Sequence, residues 1–320
     1  MGGGFGWISR KYGLTCDNLA SAEVVLANGD LVTASDSENS DLFWGIRGGG
    51  GNFGVVASFT FNLRPIEPEI LAGVIMHRIE DARDVLRAYR DFMDKAPNGV
   101  GSNAAFRTAP AVDFVPDELH GKAVISLVVS YAGDPKEGEK VLKPLRDFGK
   151  PVFDMVALKP LSAHNSFADA GQPNGMHYYW KSEYVTELPD EALDEIAKYG
   201  SQMTSVYSRV GVFRLGGAIK DRNDMDMAYS HREAEYVLAV NTGWAVPKDS
   251  EREMQWTRDY WEALRPFSMG GSYVNFLSED DGEDRVRAAY GVEKYERLAE
   301  LKKKYDPNNL FRMNQNIKPA

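Results

Sequence analysis

Two glycine-dense stretches hold the residues of this chain best suited to do chemistry with their backbone: Gly2, Gly3, Gly4, Phe5, Gly6 at the start, and Gly48, Gly49, Gly50, Gly51, Asn52, Phe53, Gly54 further on. Consecutive glycines let main-chain N–H groups approach an anionic or ribosyl group with no Cβ in the way. Residues 49–54 also satisfy the bare G-x-G-x-x-G string of dinucleotide sites. That motif requires a strand before it and a helix after it, so that the phosphate meets the helix N-terminus. Here a short helical pattern, DLFWGIR, comes first and an alternating run, VVASFTFNL, follows, which excludes a Rossmann unit. On these residues alone, a backbone site for a ligand and a turn that packs closely are equally compatible with the second stretch.

Other chemistries are absent as motifs. There is no G-x-x-x-x-G-K-[ST], no H-E-x-x-H and no G-x-S-x-G, and His77, His120, His164, His177 and His231 have no metal-ligand spacing. Asp221 to Asp226 begins like a calcium loop but lacks the glycine at position six and the acid at position twelve, so it reads as a solvated turn. The run Glu279 to Asp284 reads as a loop kept off neighbouring surfaces by charge. A lone cysteine, Cys16, forms neither an internal disulfide nor a cysteine-rich zinc site. No metal is expected.

These stretches need elements to position them. AEVVLANGDLVTAS, Ala22 to Ser35, reads as a hairpin turning at Asn28 and Gly29, which tolerate positive φ. Asp41 is placed to cap the helical turn before the glycines. Val55 to Leu63 is a strand that stops at Pro65, and Pro65 and Pro68 bracket a linker. Beyond it LAGVIMHRI, AVISLVVSYAG, HYYWKSEYV, SVYSRVGVFRLGGAI and EYVLAVNTGW read as strands. They are interleaved with helices over Asp81–Lys95, PKEGEKVLKPLRDFG, Pro189–Tyr199 and Asp249–Leu264. A strand is expected from Tyr273, then a helix over Val292–Tyr305 and an extended tail. The pattern predicts an α+β fold whose antiparallel sheet is covered by helices on one side.

Composition narrows the function. The chain has 320 residues, 37 basic and 47 acidic side chains, a net charge of −10 and 43% apolar residues, enough for about two ordinary domains. A net negative charge with no basic block interleaved with aromatics argues against nucleic acid as a partner. No apolar run reaches the ~20 residues of a membrane span, and no basic and apolar leader opens the chain. No membrane partner is expected, and the sparse cysteine usage points to a reducing, cytoplasmic compartment.

Three strings taken together carry a resemblance: GGGFGWISRKYGLTCDNL, LFWGIRGGGGNFGVV and AYGVEKYERLAELKKKYDPNNLFRMNQNI. The chain resembles the berberine-bridge-enzyme-like branch of the FAD-linked oxidases, with the vanillyl-alcohol-oxidase, PCMH-type fold, over essentially its whole length. The resemblance implies residues 1–66 as the C-terminal part of an FAD-binding domain, 67–268 as a substrate domain, and 269–320 as a segment returning to the FAD domain. Relatives carry a further segment before the glycine loop, with the first nucleotide-binding subdomain and the His and Cys that attach the flavin. The FAD domain is therefore expected to be incomplete in this chain, and a separate chain supplying that subdomain is a candidate partner.

By the same resemblance Gly2, Gly3, Gly4, Gly6, Asp17 and Asn18 lie along the flavin and its diphosphate. Gly48, Gly49, Gly50, Gly51, Asn52, Gly54 and Val56 give main-chain contacts to the nucleotide, and Asn275, Asn314 and Asn316 close over the isoalloxazine edge. Capping of the tail backbone is the competing role for the terminal asparagines. Cys16 lies downstream of the attachment cysteine and reads as a small buried residue. His231 and Arg232 read as a structural pair at the start of a strand.

The resemblance implies hydride transfer from a small organic alcohol, sugar or phenolic-type substrate to flavin N5, with a protein base removing a proton. Alternation along Glu235 to Trp244 puts Glu235, Val237, Ala239 and Asn241 on one face, and Tyr236, Leu238, Val240 and Trp244 on the other as core. Glu235, Asn241 and Tyr273 are the catalytic candidates; a surface Glu, a strand Asn and a packed Tyr are the competing roles. Ala239 and Phe276 stand where relatives often carry polar or Tyr side chains. They motivate the alternative of a non-catalytic remnant or binding module.

Overall fold

The computed structural model describes residues 1–320 except for the side chain of Ala170. In chain order the main elements are α1 (Ser9–Tyr12), β1 (Leu19–Val25), β2 (Leu31–Ser35), α2 (Ser40–Ile46), β3 (Val55–Phe61), β4 (Ile70–Arg78), α3 (Ala82–Met93), β5 (Val100–Thr108) and β6 (Ala123–Tyr131). They continue with α4 (Pro135–Arg146), β7 (Phe153–Asp154), β8 (Ala157–Lys159), α5 (Leu161–Ser166), β9 (His177–Val185), α6 (Asp190–Gly200), β10 (Arg209–Arg214), β11 (Tyr236–Trp244), α7 (Ser250–Leu264), α8 (Glu283–Tyr290) and α9 (Val292–Tyr305).

The chain divides into two compact units. The first is discontinuous: Met1–Pro65, Gly216–Glu233 and Gly270–Ala320. The second comprises Ile66–Leu215 and Ala234–Met269. The segment Gly216–Glu233, expected in the substrate domain, belongs instead to the first unit. Its Ala228 and Tyr229 amides donate to the carbonyls of Trp44 and Arg47 at 3.2 and 3.0 Å, so backbone pairing holds it there.

In the first unit β1 pairs antiparallel with β2 and β3, and Gly29 has φ 89° in the hairpin turn. The core packs Leu42, Phe43, Trp44 and Ile46 of α2 against Tyr295, Leu298 and Leu301 of α9. Asp41 does not cap α2. The helix begins a residue earlier with Asn39 at φ 45°, and the Asp41 carboxylate accepts from Lys304 Nζ at 2.6 Å and Tyr305 Oη at 2.7 Å, pinning α2 to α9. The expected strand at Tyr273 is a single 3-10 turn, Val274–Phe276. Helix α8 begins inside the acidic run expected to be a loop; Glu283 and Asp284 occupy its first turn, where carboxylates suit the helix dipole.

The second unit is an antiparallel sheet of order β7-β4-β6-β5-β10-β11-β9, with β8 also on β4. β5, which the sequence pattern did not reveal, sits in its middle. Val85, Leu86, Tyr89 and Met93 of α3, Leu142 and Leu145 of α4, Leu193 and Ile196 of α6, and Trp256, Tyr260 and Leu264 of α7 share one core with Ile125, Leu127, Val129, Val210, Val212, Leu238 and Val240 of the sheet. The helices thus cover one face. Helix α4 starts where Pro135 presets φ and the Asp134 carboxylate accepts from the amides of Lys136 and Glu137 at 2.9 and 3.1 Å. Residues with the opposite parity on each strand form the face that α3, α4, α6 and α7 leave uncovered, the helix-free face.

Candidate functional site

In the first unit the two glycine stretches meet at one carbonyl. Met1 O accepts from the Gly48 amide at 2.9 Å and from the Gly50 amide at 3.1 Å, and the Gly49 amide donates to Gly45 O at 2.9 Å. The amides of Gly48, Gly49 and Gly50 are therefore spent inside the protein. The Gly2 and Gly3 amides have no acceptor among the described residues, although their carbonyls are satisfied: Gly2 O by Asn275 Nδ2 at 3.0 Å and Gly3 O by the Cys16 amide at 3.0 Å. Gly3 (φ 104°) and Gly4 (φ 84°) lie where side chains are strained, and a Cβ on Gly3 would run into the ring of Tyr229. Glycine here both permits the turn and leaves two adjacent N–H groups unmet.

Tyr273 closes this loop. Its hydroxyl accepts from the Gly4 amide at 3.1 Å, and its ring lies 4.8 Å from that of Phe5 and 5.1 Å from that of Phe276. Burial pushes the Tyr273 pKa up, so at neutral pH it is a phenol that holds a loop rather than a proton acceptor. Phe276, in place of a hydroxylated ring, completes this aromatic cluster.

Several residues expected along the flavin are engaged elsewhere in the unit. The Asp17 carboxylate pairs with Arg232 at 2.6 Å and accepts the Leu14 amide at 2.7 Å. Asn18 donates to Tyr12 O and Leu14 O, each at 2.9 Å, and accepts from Arg64 Nε at 2.7 Å. The Gly6 amide turns back to Ser9 Oγ at 2.8 Å. Gly54 packs against Val24 and Val25, and Val56 pairs with Val24 in the sheet. Asn52 joins the second glycine stretch to the tail: it donates to Gly49 O at 2.8 Å and Gln315 O at 3.2 Å and accepts from the Ile317 amide at 3.0 Å. Lys302, fully buried, holds the same junction through Asn52 O at 2.8 Å, Phe311 O at 2.7 Å and Asp306 at 2.6 Å.

The terminal asparagines differ from these. Asn314 is exposed, and its Nδ2 lies near enough that a Cβ on Gly50 or Gly51 would meet it at 3.3 or 3.1 Å. Asn316 has a buried Oδ1 with no partner. A cleft of about 340 Å³ opens beside Met313, Asn314, Gln315 and Asn316. Cys16 is fully buried, and burial together with the Asp17 carboxylate pushes its thiol up to about 12.

In the second unit the helix-free face carries three rows that only the strand register reveals. The central row crosses from β6 to β9 as Ser126, Ala105, Gly211, Ala239 and Ser182, all small. One flanking row holds Asn103, Phe213, Val237 and Tyr184. The other holds Arg107 opposite Val124, and Arg209, Asn241 and Trp180 in register; continuing the Val210–Phe106 pairing by one residue sets Arg209 opposite Arg107.

Asn241 is 3% exposed, and both its Nδ2 and its Oδ1 lack partners. Glu235 shares its parity but precedes β11 by one residue, and its carboxylate pairs with Arg214 at 2.8 Å. A paired carboxylate six residues from Asn241, about 20 Å along a strand, does not share a site with it. The expectation that one face of β11 is polar and the other core is refined by burial: every residue of β11 is buried, and Val237 and Ala239 leave Asn241 the lone polar group of its face. Arg107, Arg209 and Asn103 carried no signal in the sequence, because β5 has no strand-like local period and its pairing with β10 joins residues about a hundred positions apart.

A glycine-loop unit interrupted by an antiparallel sheet unit is the architecture of the FAD-linked oxidoreductases of PCMH type. The family model described as "Berberine and berberine like" matches residues 272–318. Along its entire length the chain is 30% identical to an uncharacterised FAD-linked oxidoreductase, YgaK, of Bacillus subtilis strain 168, and covers 69% of that protein. It is 28% identical, again over its whole length and 69% of the relative, to (R)-6-hydroxynicotine oxidase of Paenarthrobacter nicotinovorans. Among solved structures, 6-hydroxy-D-nicotine oxidase from Arthrobacter nicotinovorans superposes with a TM-score of 0.82 at 25% identity, covering 99% of this chain and 70% of the other. The chain belongs to the berberine-bridge-enzyme-like family of FAD-linked oxidoreductases.

The first unit fits the cofactor of that family. The unmet Gly2 and Gly3 amides suit a carbonyl or phosphate oxygen, and the orphaned Asn316 Oδ1 suits an N–H donor. Among the described residues no helix is long and apolar enough to cross a membrane, and no cluster of His, Cys, Asp and Glu could hold a metal ion.

Proposed function

We propose that the protein is an FAD-dependent oxidase or dehydrogenase that removes a hydride from a small organic alcohol, sugar or phenolic-type substrate held on the helix-free face of the second unit. The observation that carries the substrate side is Asn241. An amide with neither a donor nor an acceptor satisfied at 3% exposure is costly unless a ligand completes it. The name of the hydroxynicotine oxidase relative supports a compact, ring-bearing substrate.

Bound flavin supplies the hydride acceptor. The chain's own part is to bind and orient. Gly2 and Gly3 would offer their amides to the cofactor, with Tyr273 and Asn275 fixing the loop that presents them. Asn314 and Asn316 would meet it from the tail. Asn241 would donate from Nδ2 and accept at Oδ1, the pattern a substrate hydroxyl matches from both sides. Glu235, neutralised by Arg214, orders the start of β11 and is not assigned the base.

The test has two arms. FAD is titrated into the purified protein while flavin fluorescence is followed, and the saturated protein is then mixed anaerobically with a panel of alcohols, sugars and phenols while flavin absorbance is read. Saturable binding and bleaching by at least one compound are expected. Failure to bind FAD at micromolar concentration overturns the reading.

A further inference from the structure

We propose that the helix-free face of the second unit recognises an organic carboxylate, gripped by the guanidinium groups of Arg107 and Arg209, so that the substrate class is an acid with an aromatic or otherwise apolar body. This deepens the reading given above and rests on it for the word substrate, though not for the binding site itself.

The argument begins with charge. Arg209 and Arg107 each adjoin the last paired residues of β10 and β5, Val210 and Phe106, so continuing the register sets them opposite each other, and the charge of Arg209 acts on Arg107. Like charges placed so are destabilising. Among the described residues neither guanidinium has an ion-pair or hydrogen-bond partner, and the Nε of Arg107 is buried and unmet. Burial, followed by the charge of Arg209, pushes Arg107 down to about 10; burial also lowers Arg209, opposed only by the Tyr178 phenol. Among the described residues no carboxylate is a cause of either shift. Arginine stays charged in proteins, so two such groups call for an anion from outside. A carboxylate is the planar, two-oxygen anion whose geometry the guanidinium fork matches.

The surroundings choose the body of that anion. Small residues hold the row beside the arginines low, and the Phe213 ring folds back over Gly211, where a Cβ would run into it. The Tyr178 ring leans over Gly243 in the same way, at 2.8 Å from where a Cβ would stand, and Trp180 is next to Asn241 in register. Arg209 reaches under the turn at Gly171, which also has no room for a Cβ. Three glycines thus give place to two rings and one guanidinium, an apolar floor beside a cationic edge. Independent of charge, Ser126 Oγ (0% exposed), Asn103 Oδ1 (residue 8% exposed) and both polar atoms of Asn241 (3% exposed) are buried on this face without partners. They are the further polar contacts a ligand would complete.

The test is isothermal calorimetry on the purified protein with benzoate, benzamide and inorganic phosphate as probes, with no turnover required. Benzoate is expected to bind, benzamide to bind at least tenfold more weakly, and phosphate, which lacks the apolar body, to bind more weakly than benzoate. Arg107→Gln and Arg209→Gln should each weaken benzoate roughly tenfold or more, since each removes a charge-assisted contact. Circular dichroism verifies that the variants are folded. Should either variant unfold, Arg107→Lys and Arg209→Lys keep the charge, lose the fork and are expected to bind in between. Equal binding of benzoate and benzamide, unchanged binding in the folded variants, or phosphate binding tighter than benzoate overturns the inference. If benzoate fails while FAD binds, the anion site falls and the oxidoreductase reading stands; if FAD fails while benzoate binds, the reverse holds.

Discussion

Asp17 and Arg232, 215 positions apart in the chain, form a buried pair with Oδ1 to Nη2 at 2.6 Å and side chains only 4% and 3% exposed. The Asp17 carboxylate also accepts the Leu14 amide, while Arg232 Nη1 donates to Ile219 O at 2.7 Å. This pair fastens Gly216–Glu233 to the segment that carries the first glycine loop. A carboxylate so engaged serves the loop's frame.

Removing one partner strands the other charge. Arg232→Met is expected to destabilise the protein by about 3–5 kcal/mol. The double variant Asp17→Leu/Arg232→Met is expected to lose less than Arg232→Met alone. Urea unfolding of both variants measures this, and a double variant as unstable as the single one would refute the assignment.

Lys302 has the same status in the tail. Lys302→Met removes the donor to Asn52 O and Phe311 O and leaves buried Asp306 with only the amides of Leu310 and Phe311. A loss of about 3–5 kcal/mol is expected, with faster proteolytic cleavage in residues 310–317. Cleavage at the wild-type rate would show that the tail is held by other contacts.

Asn241→Leu separates stability from function. An amide with no satisfied atom costs about 1–3 kcal/mol to bury, so the variant should be as stable as the wild type or more so. Its activity toward any substrate found should nevertheless fall by at least tenfold. A matching fall in melting temperature would mark Asn241 as structural.

Cys16 should be inert while the protein is folded. With its thiol pushed up to about 12 by burial, the thiolate is scarce at pH 8, and alkylation by iodoacetamide should run roughly a thousandfold slower than in denaturant. Mass spectrometry of the labelled peptide reads the two rates.

His164 predicts a pH effect. Burial, with the nearby Lys159 charge, pushes it down to about 4, so between about 4 and its ordinary 6.5 the unfolded chain binds a proton that the folded one refuses. Its contribution to stability is present above pH 6.5 and is lost as the pH falls toward 4. Melting temperatures at pH 7 and pH 4.5 should differ more for the wild type than for His164→Leu; equal differences would place the ring in a hydrated environment.

Much of the framework was legible because it is written locally. The Asn28–Gly29 turn, the amphipathic spacing of α3 and α7 and the run of β9 follow from periods and turn residues within one segment. Tertiary packing overrides the local pattern elsewhere. Tyr273 looked like a strand residue but sits beside a 3-10 turn, because its ring packs on Phe5 and its hydroxyl meets Gly4. β5, Val100–Thr108, is rich in small and polar residues and has no strand-like local period; β6 and β10 on either side complete its hydrogen bonds.

By itself the sequence determined the family, the glycine stretches, the alternation that puts Asn241 on the face of its strand opposite Tyr236, Leu238 and Val240, and the solitary, buried character of Cys16. Only the tertiary structure decided which amides stay unmet, since Gly48 and Gly50 spend theirs on Met1 O and Gly2 and Gly3 do not. It alone set β5 beside β10, bringing Arg107 and Arg209 next to each other. Hydrogen-bond partners and strand register depend on residues far apart in the chain, and no local period encodes them.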